Sequence, residues 1–413
     1  VPPRSFRRSI DEIFAGACLV ATHCLDPYHD TAASFEHITE ILADWRRTEN
    51  ANRRIAACVG MSFWKRRRVA DFLRSGLGSP PFCRMPQRAL AAAKTRPGHA
   101  IAVWASRIPP GLAEAAARQA TPLVRVEDGF IRSVGLGSDF MPPASLVLDW
   151  NGIYYDPRQT SDLERLLLEV EFTPALTARA GDLIARLVGG GITKYNLASA
   201  APALDIPAAG RRILVPGQVE DDLSVLFGGG ADVRGNRDLL ARVRAANPDA
   251  FILYKPHPDV EAGHRKGALP DQVAAEFANR IVRGVATDSL LGRIDEVHTL
   301  TSLTGFEALL RRRRVVVYGR PFYAGWGLTT DVAAVDRGRR LTLEELVAGI
   351  LILYPRYLDP VTRLPCSPEI IIERLGRPEL WRPGLLVALR RLQGTAVRQL
   401  QAFLPVRRSG RRG

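Results

Sequence analysis

The chain has 413 residues, 46% of them hydrophobic, which is enough to bury sizeable cores and favours two domains over one. Its 57 basic against 43 acidic residues leave a net charge of +14, a balance suited to an anionic surface or an anionic small substrate. Five scattered cysteines (Cys18, Cys24, Cys58, Cys83, Cys366) form no CxxC pair and no metal spacing, and an odd, scattered set fits reduced cytosolic thiols better than a disulfide framework. No apolar run reaches the ~18 residues that span a bilayer, and no secretory signal is visible. A cytoplasmic α/β protein is expected, and a first residue of Val fits a fragment or a processed chain.

The N-terminal segment, 1–48, holds one copy of a repeat. Glu12-Ile-Phe-Ala15-Gly16 followed by Leu25-Asp26-Pro27 returns as Glu345-Leu-Val-Ala348-Gly349 followed by Leu358-Asp359-Pro360, in each block 333 residues apart. Each copy reads as a helix, an Asp-Pro turn and another helix. If the second copy closes this module, the first closes a preceding one, so an upstream module in the same polypeptide is expected.

From residue 49 strands and helices alternate. Ile55–Gly60, Ala100–Trp104 and Leu123–Val126 read as parallel strands, with a basic helix at Trp64–Leu73 and another at Ala113–Ala120. The Gly135–Ser138 loop has neither a P-loop lysine nor GxGxxG spacing and receives no phosphate role. Ser145–Asp149 and Gly152–Asp156 read as a hairpin across Asn151-Gly152. Ser161 to Glu164 forms a capping box that opens a helix to about Leu187. The Ala-, Pro- and Gly-rich stretch 198–210 marks a domain boundary, giving domains 49–200 and 201–343.

The second half repeats the alternation: strands Ile213–Val215, Phe251–Tyr254, Glu296–Leu300 and Val315–Tyr318, with a helix at Asn236–Ala246. Two doubly wound Rossmann-like domains facing across a cleft make the α/β architecture called GT-B. A helical tail, 344–413, ends in a basic stretch from Val406, where each Arg near an anionic lipid surface is worth ~1 kcal/mol.

Polar clusters stand at strand ends, where open α/β sheets present ligand-binding groups. Glu127-Asp128-Gly129 offers adjacent acids, either of them a candidate general base. Gln218, Glu220, Asp221 and Asp222 follow the Pro216-Gly217 break. In Lys255-Pro256-His257-Pro258 two prolines fix a histidine beside a lysine, a pairing suited to a phosphate. Ser302, Thr304, Gly305 and Glu307 open a helix whose free N–H groups form an anion site, with Glu307 placed for a ribose hydroxyl. The aromatic loop Gly319–Thr329 reads as a cover over a ligand or as a packed connector.

Six stretches in order, VEDGFIRSVGLGSD (126–139), NGIYYDP (151–157), VPGQVEDDLSV (215–225), YKPHPDVEAG (254–263), TSLTGFEALL (301–310) and PFYAGWGLT (321–329), resemble the capsule polysaccharide β-Kdo transferases of the KpsC type. The resemblance covers about residues 50–365 and is greatest to the C-terminal module of a family that often carries two modules. It implies a retaining glycosyltransferase that moves β-Kdo from CMP-β-Kdo to a Kdo-terminated, phosphatidylglycerol-type lipid at the inner membrane. That reaction extends the poly-Kdo linker, with a β-2,7 linkage expected. It also implies Asp222 as the nucleophile that forms a covalent sugar adduct, with Glu220 and Asp221 close by. His257 would stabilise the leaving phosphate, Glu127 or Asp128 would deprotonate the acceptor, and Ser302, Thr304 and Glu307 would hold CMP. Arg125, Arg132 and Lys255 are the expected partners for the Kdo carboxylate. No cofactor or metal is expected, because CMP leaves on a single phosphate.

Two rivals remain: an inverting CMP-sialic-acid-type transferase using a Glu127-Asp128 acid directly, and a basic module that binds lipid or nucleic acid. Strand-end acids would repel nucleic-acid phosphates, so no nucleic-acid partner is expected.

Overall fold

A computed structural model describes residues 7–380, leaving out 97, 134–140, 194–204, 231 and 262–264. The Gly135–Ser138 loop and the basic tail lie outside the described residues. A short ribbon, β1 (Cys24–Asp26) with β2 (Thr31–Ala33), precedes two large sheets. The first contains β3 (Ile55–Val59), β4 (Phe82–Cys83), β5 (Ala100–Trp104), β6 (Leu123–Asp128) and β7 (Ser145–Asp149). The second contains β8 (Arg212–Pro216), β9 (Phe251–Lys255), β10 (Arg280–Ile281), β11 (Glu296–Thr299), β12 (Arg314–Val317) and β13 (Thr330–Asp331). The chain then returns to the first sheet as β14 (Arg356–Leu358) and β15 (Pro365–Cys366).

Strand order in the second sheet is β10-β9-β8-β11-β12-β13, parallel throughout. Ile213, Leu214 and Val215 are fully buried, as expected of a central strand covered on both faces. The first sheet runs β15-β14-β7-β6-β5-β3-β4, parallel from β4 to β6 and antiparallel beyond. Its apolar runs β3, β5 and β7 are buried at every position.

Three expectations are corrected. Ser145–Asp149 does not pair with Gly152–Asp156 but with β6 and β14. The Asn151-Gly152 turn instead wraps the Asp149 carboxylate, which accepts the amides of Asn151 (3.1 Å) and Gly152 (2.7 Å). The helix opened by Ser161 ends at Glu169, and a new one, capped by Thr173, runs Pro174–Gly189. The segment after Leu343 is not purely helical, since β14 and β15 edge the first sheet.

One apolar cluster joins the two domains. Phe130 from the first packs at a tilt against Phe322 (ring centroids 4.8 Å) and lies 6.5 Å from Phe306, both from the second. Across the same junction the Arg158 guanidinium sits 3.4 Å over the Phe227 ring. Among the described residues no helix is long and apolar enough to cross a membrane.

Candidate functional site

The second sheet has a switch point between β8 and β11, because the chain leaves β8 for β9 on one side and returns to β11 on the other. Ligands of open α/β sheets settle outside the strand ends at such a point. Here those ends carry Gly217–Asp222 and Leu300–Glu307. Gly217 allows the approach: a Cβ there would meet the Tyr254 hydroxyl at 2.8 Å and the Pro256 backbone at 3.1 Å.

The four polar residues after that break have different tasks. Gln218 is buried, and its carbonyl accepts from the Thr299 hydroxyl (3.1 Å) and the amides of Leu300 (3.2 Å) and Thr301 (3.1 Å). Its amide donates to Thr301 Oγ1 at 2.9 Å, so Gln218 ties β8 to β11. Glu220 accepts the Asn236 amide (2.8 Å) at the start of the Asn236–Ala246 helix. Asp221 pairs at the surface with Arg265 (3.2 Å).

Asp222 is different. It caps the helix Leu223–Gly228, and one oxygen, Oδ1, accepts both the Ser224 amide (3.0 Å) and the Ser224 hydroxyl (2.8 Å). The other oxygen, Oδ2, has Arg265 at 4.0 Å, and the side chain is 47% exposed.

The adjacent acids of the first domain separate by the strand's period of two. Asp128 points to the side of Lys65, whose ammonium lies 3.0 Å from each carboxylate oxygen, and of Arg132, whose Nε lies at 2.8 Å. Burial alone would raise the Asp128 pKa, but Arg132 and Lys65 outweigh it and hold the carboxyl well below its usual range. Lys65 is also 3.6 Å from the Trp104 ring centroid. Asp128 is therefore a locked anion and a poor base. Arg132 is 1% exposed and also donates to Ser133 Oγ (2.8 Å) and Met141 O (3.1 Å), so protein partners hold its guanidinium on several sides.

Glu127 shares its face of β6 with Arg125, and its Oε1 accepts the Asp128 amide at 3.1 Å. Burial raises the pKa of Tyr154 and of Tyr155, and the charges of both Glu127 and Asp222 push each further up. The acids of the two domains thus act on the same pair of tyrosines. Gly129 is required by its neighbour: a Cβ would overlap the Ser145 side chain. Arg125 donates to Gln159 at 3.4 Å.

On the β9 side, Lys255 is buried, and among the described residues no carboxylate lies within ion-pair distance of it. Desolvation lowers its pKa, opposed by the charges of Glu261 and Glu307. His257 Nδ1 accepts the Asp259 amide (3.2 Å), which leaves the proton of the neutral ring on Nε2 as a donor. Pro258 opens the short helix Pro258–Glu261. Ser302 caps the helix Leu303–Leu310 by accepting the Thr304 amide (3.2 Å), and Glu307 is buried one turn in. Gly305 makes room for Tyr323, not for a ligand: a Cβ would overlap its ring, and the Tyr323 hydroxyl donates to Ser302 O (2.5 Å). The aromatic loop is a packed brace, with Tyr323, Ala324 and Trp326 fully buried.

Sequence reasoning missed Lys65, Ser224 and the two tyrosines. Only the tyrosines carried a signal, the doubled aromatic of NGIYYDP, and it was absorbed into a hairpin.

Two Rossmann-like domains with charged strand ends facing one cleft define a GT-B-like α/β protein. The capsule polysaccharide biosynthesis protein family matches residues 99–181 and 180–357. The chain belongs to that family. It is 41% identical over 378 residues to the capsule polysaccharide modification protein LipA of Neisseria meningitidis serogroup A, covering 90% of this chain and 52% of LipA. The serogroup B protein of that name is 40% identical, with 53% of it covered, so the chain spans about half the length of these curated relatives. Among solved structures it is similar to the KpsC β-Kdo 2,7 transferase of Thermosulfurimonas dismutans (35% identity, TM-score 0.62, 77% of this chain and 97% of that one). It is also similar to the β-Kdo 2,4 transferase of the same KpsC (31% identity, TM-score 0.65, 78% and 98%).

Proposed function

We propose that this chain is a retaining glycosyltransferase that moves β-Kdo from CMP-β-Kdo to a Kdo-terminated glycolipid, extending the linker of a capsular polysaccharide. The observation that carries the reading is Asp222 just past the β8 strand end at the switch point, its Oδ1 tied to Ser224 and its side chain 47% exposed. Asp222 Oδ2 attacks the anomeric carbon, the bond to the phosphate oxygen breaks, and CMP leaves with the electron pair. The His257 Nε2 proton and the Lys255 ammonium stabilise the departing phosphate, so no metal is required. An acceptor hydroxyl then attacks the adduct, Glu127 takes its proton, and Asp222 is released as a carboxylate. Two inversions give net retention. Ser302, Thr304 and Glu307 hold the nucleotide, and Arg125 faces the sugar carboxylate.

The linkage is read as β-2,7 on sequence, with 35% identity to the 2,7 enzyme against 31% to the 2,4 enzyme, while the backbone match is slightly greater to the 2,4 enzyme (TM-score 0.65 against 0.62). The same reading places the chain in the cytoplasm, peripheral at the inner membrane, where a phosphatidylglycerol-type lipid carries the acceptor. The test is incubation with CMP-β-Kdo and a synthetic Kdo-terminated acceptor, followed by NMR of the product. A β product containing the new Kdo is expected, together with a transient gain of one Kdo on the intact protein. An α product would sink the adduct mechanism, and no transfer to any Kdo-terminated acceptor would sink the assignment.

A further inference from the structure

The hydrogen bonds behind Asp222 have a direction, and it is set at their buried end. The Gln218 carbonyl accepts the backbone amides of Leu300 (3.2 Å) and Thr301 (3.1 Å), groups that can only donate. That fixes which end of the side-chain amide is which, so Nε2 donates to Thr301 Oγ1 at 2.9 Å. Thr301 Oγ1 is then an acceptor on that side, and its own proton goes to Ser224 Oγ (3.5 Å). The Ser224 proton goes in turn to Asp222 Oδ1 (2.8 Å). The chain runs one way, from a buried amide to a single oxygen of a carboxylate.

The frame around this chain is tight. Thr301 meets the helix Leu223–Gly228 at both ends: its hydroxyl reaches Ser224, and a Cβ on Gly228 would meet its Cγ2 methyl at 3.1 Å. Gly228 O accepts the Arg320 amide (2.7 Å), and a Cβ on Gly319 would overlap that same carbonyl. The helix that Asp222 caps is therefore held against the segments that leave β11 and β12.

Capping alone would not orient the carboxylate. The Ser224 amide reaches Oδ1 at 3.0 Å whether or not the hydroxyl is there. The terminal torsion of an aspartate is broad and nearly two-fold, so one bond leaves the carboxylate plane free to turn. A second donor on the same oxygen selects one plane. Oδ2 stays outside the chain, with Arg265 at 4.0 Å.

We propose that Ser224 is a positioning residue for the covalent step: at the end of the chain from Gln218 and Thr301 it holds Oδ1 and presents Oδ2 to the anomeric carbon. In the reaction proposed above, on which this rests, Oδ2 forms its bond to the sugar as the bond to the CMP phosphate oxygen breaks. Thr301 immediately precedes Ser302, the cap of the helix assigned to the nucleotide. Donor site and nucleophile are thus set from one strand-helix junction.

The test is transfer kinetics of the full chain, at a temperature where calorimetry shows each variant folded. Ser224→Ala is expected to lower kcat about 10- to 100-fold with KM for CMP-β-Kdo unchanged, and Ser224→Thr to restore most of it. Thr301→Val, which keeps the shape and loses the hydroxyl, is expected to lower kcat less. Added to Ser224→Ala it should lower kcat no further, because it acts only through Ser224. Losses that multiply in the double variant overturn the chain. A raised KM with parental kcat in Ser224→Ala overturns the positioning, since Ser224 is then a substrate contact. Parental kcat and KM in Ser224→Ala beside an inactive Asp222→Asn overturn it while the nucleophile stands. An active Asp222→Asn removes the nucleophile, and the positioning with it.

Discussion

Asp222 has two roles that a single alanine variant would confuse. Its Oδ1 caps the helix Leu223–Gly228 through the Ser224 amide and hydroxyl, while Oδ2 is the proposed nucleophile. Replacing a capping Asp by Ala costs about 0.5–2 kcal/mol, whereas Asn caps about as well. Asp222→Ala should therefore lose about 1 kcal/mol of stability, a fall of roughly 2–4 °C in the melting temperature of a domain this size. Asp222→Asn should melt within about a degree of the parent. Its amide is no nucleophile, so both variants should lose at least about 10³-fold in transfer, the order expected when a covalent group is removed. Differential scanning calorimetry and product release from CMP-β-Kdo measure the two effects separately. If Asp222→Asn keeps more than a tenth of parental activity, the carboxylate is only a helix cap and the mechanism falls.

Three shorter predictions follow from named contacts. Lys65→Met should destabilise by up to about 3 kcal/mol in urea unfolding, because it removes one of two cations from the buried Asp128 carboxylate. The folded pKa of Asp128 is depressed, so its contribution is present above the unfolded value and lost as pH falls through the folded one. With that depression partly relieved, Lys65→Met should unfold at a higher pH in acid titration. Gly305→Ala should cost about 1–3 kcal/mol by overpacking against the buried Tyr323, and equal melting would refute the brace. The pKa of His29 is raised by hydrogen bonds to Asp26 and Glu373, so its contribution is complete below the unfolded value and lost as pH rises through the folded one. Trp45, which donates to Pro365 O at 2.8 Å, should report that loosening by fluorescence, and His29→Gln should remove the pH step.

The sheet order's ingredients were legible because β3, β5 and β8 are short apolar runs bounded by turn residues, a local signal. Register partners were not: Asn151-Gly152 is a strong hairpin dipeptide, yet β7 pairs with β14 from some two hundred residues away, a contact no local pattern encodes. Site acids were legible as types at strand ends but not as roles. Alternation says that Glu127 and Asp128 face opposite ways. Only Lys65, on a helix that read as merely basic, decides which of them is locked. Likewise Gly305 read as a ligand-side glycine, and the residue that requires it, Tyr323, lies in a loop whose sequence fitted a cover equally well.

That sorting leaves few cations for an anionic donor. Lys65 and Arg132 hold Asp128, Arg265 pairs with Asp221, and Arg158 pairs with Asp156. Lys255 stands apart as a buried ammonium whose pKa is lowered by desolvation from an ordinary 10.5. A phosphate seated beside it would favour the charged form, so CMP binding should take up a proton wherever free Lys255 is neutral. CMP affinity should therefore fall as pH rises past that lowered pKa, a decline beginning below 10.5. Calorimetric titration of CMP in buffers of different ionisation enthalpy measures that proton directly, and Lys255→Met should bind more weakly and without the pH dependence. A variant that binds CMP as tightly as the parent would show that the phosphate lies elsewhere, and would take His257 with it as the leaving-group donor.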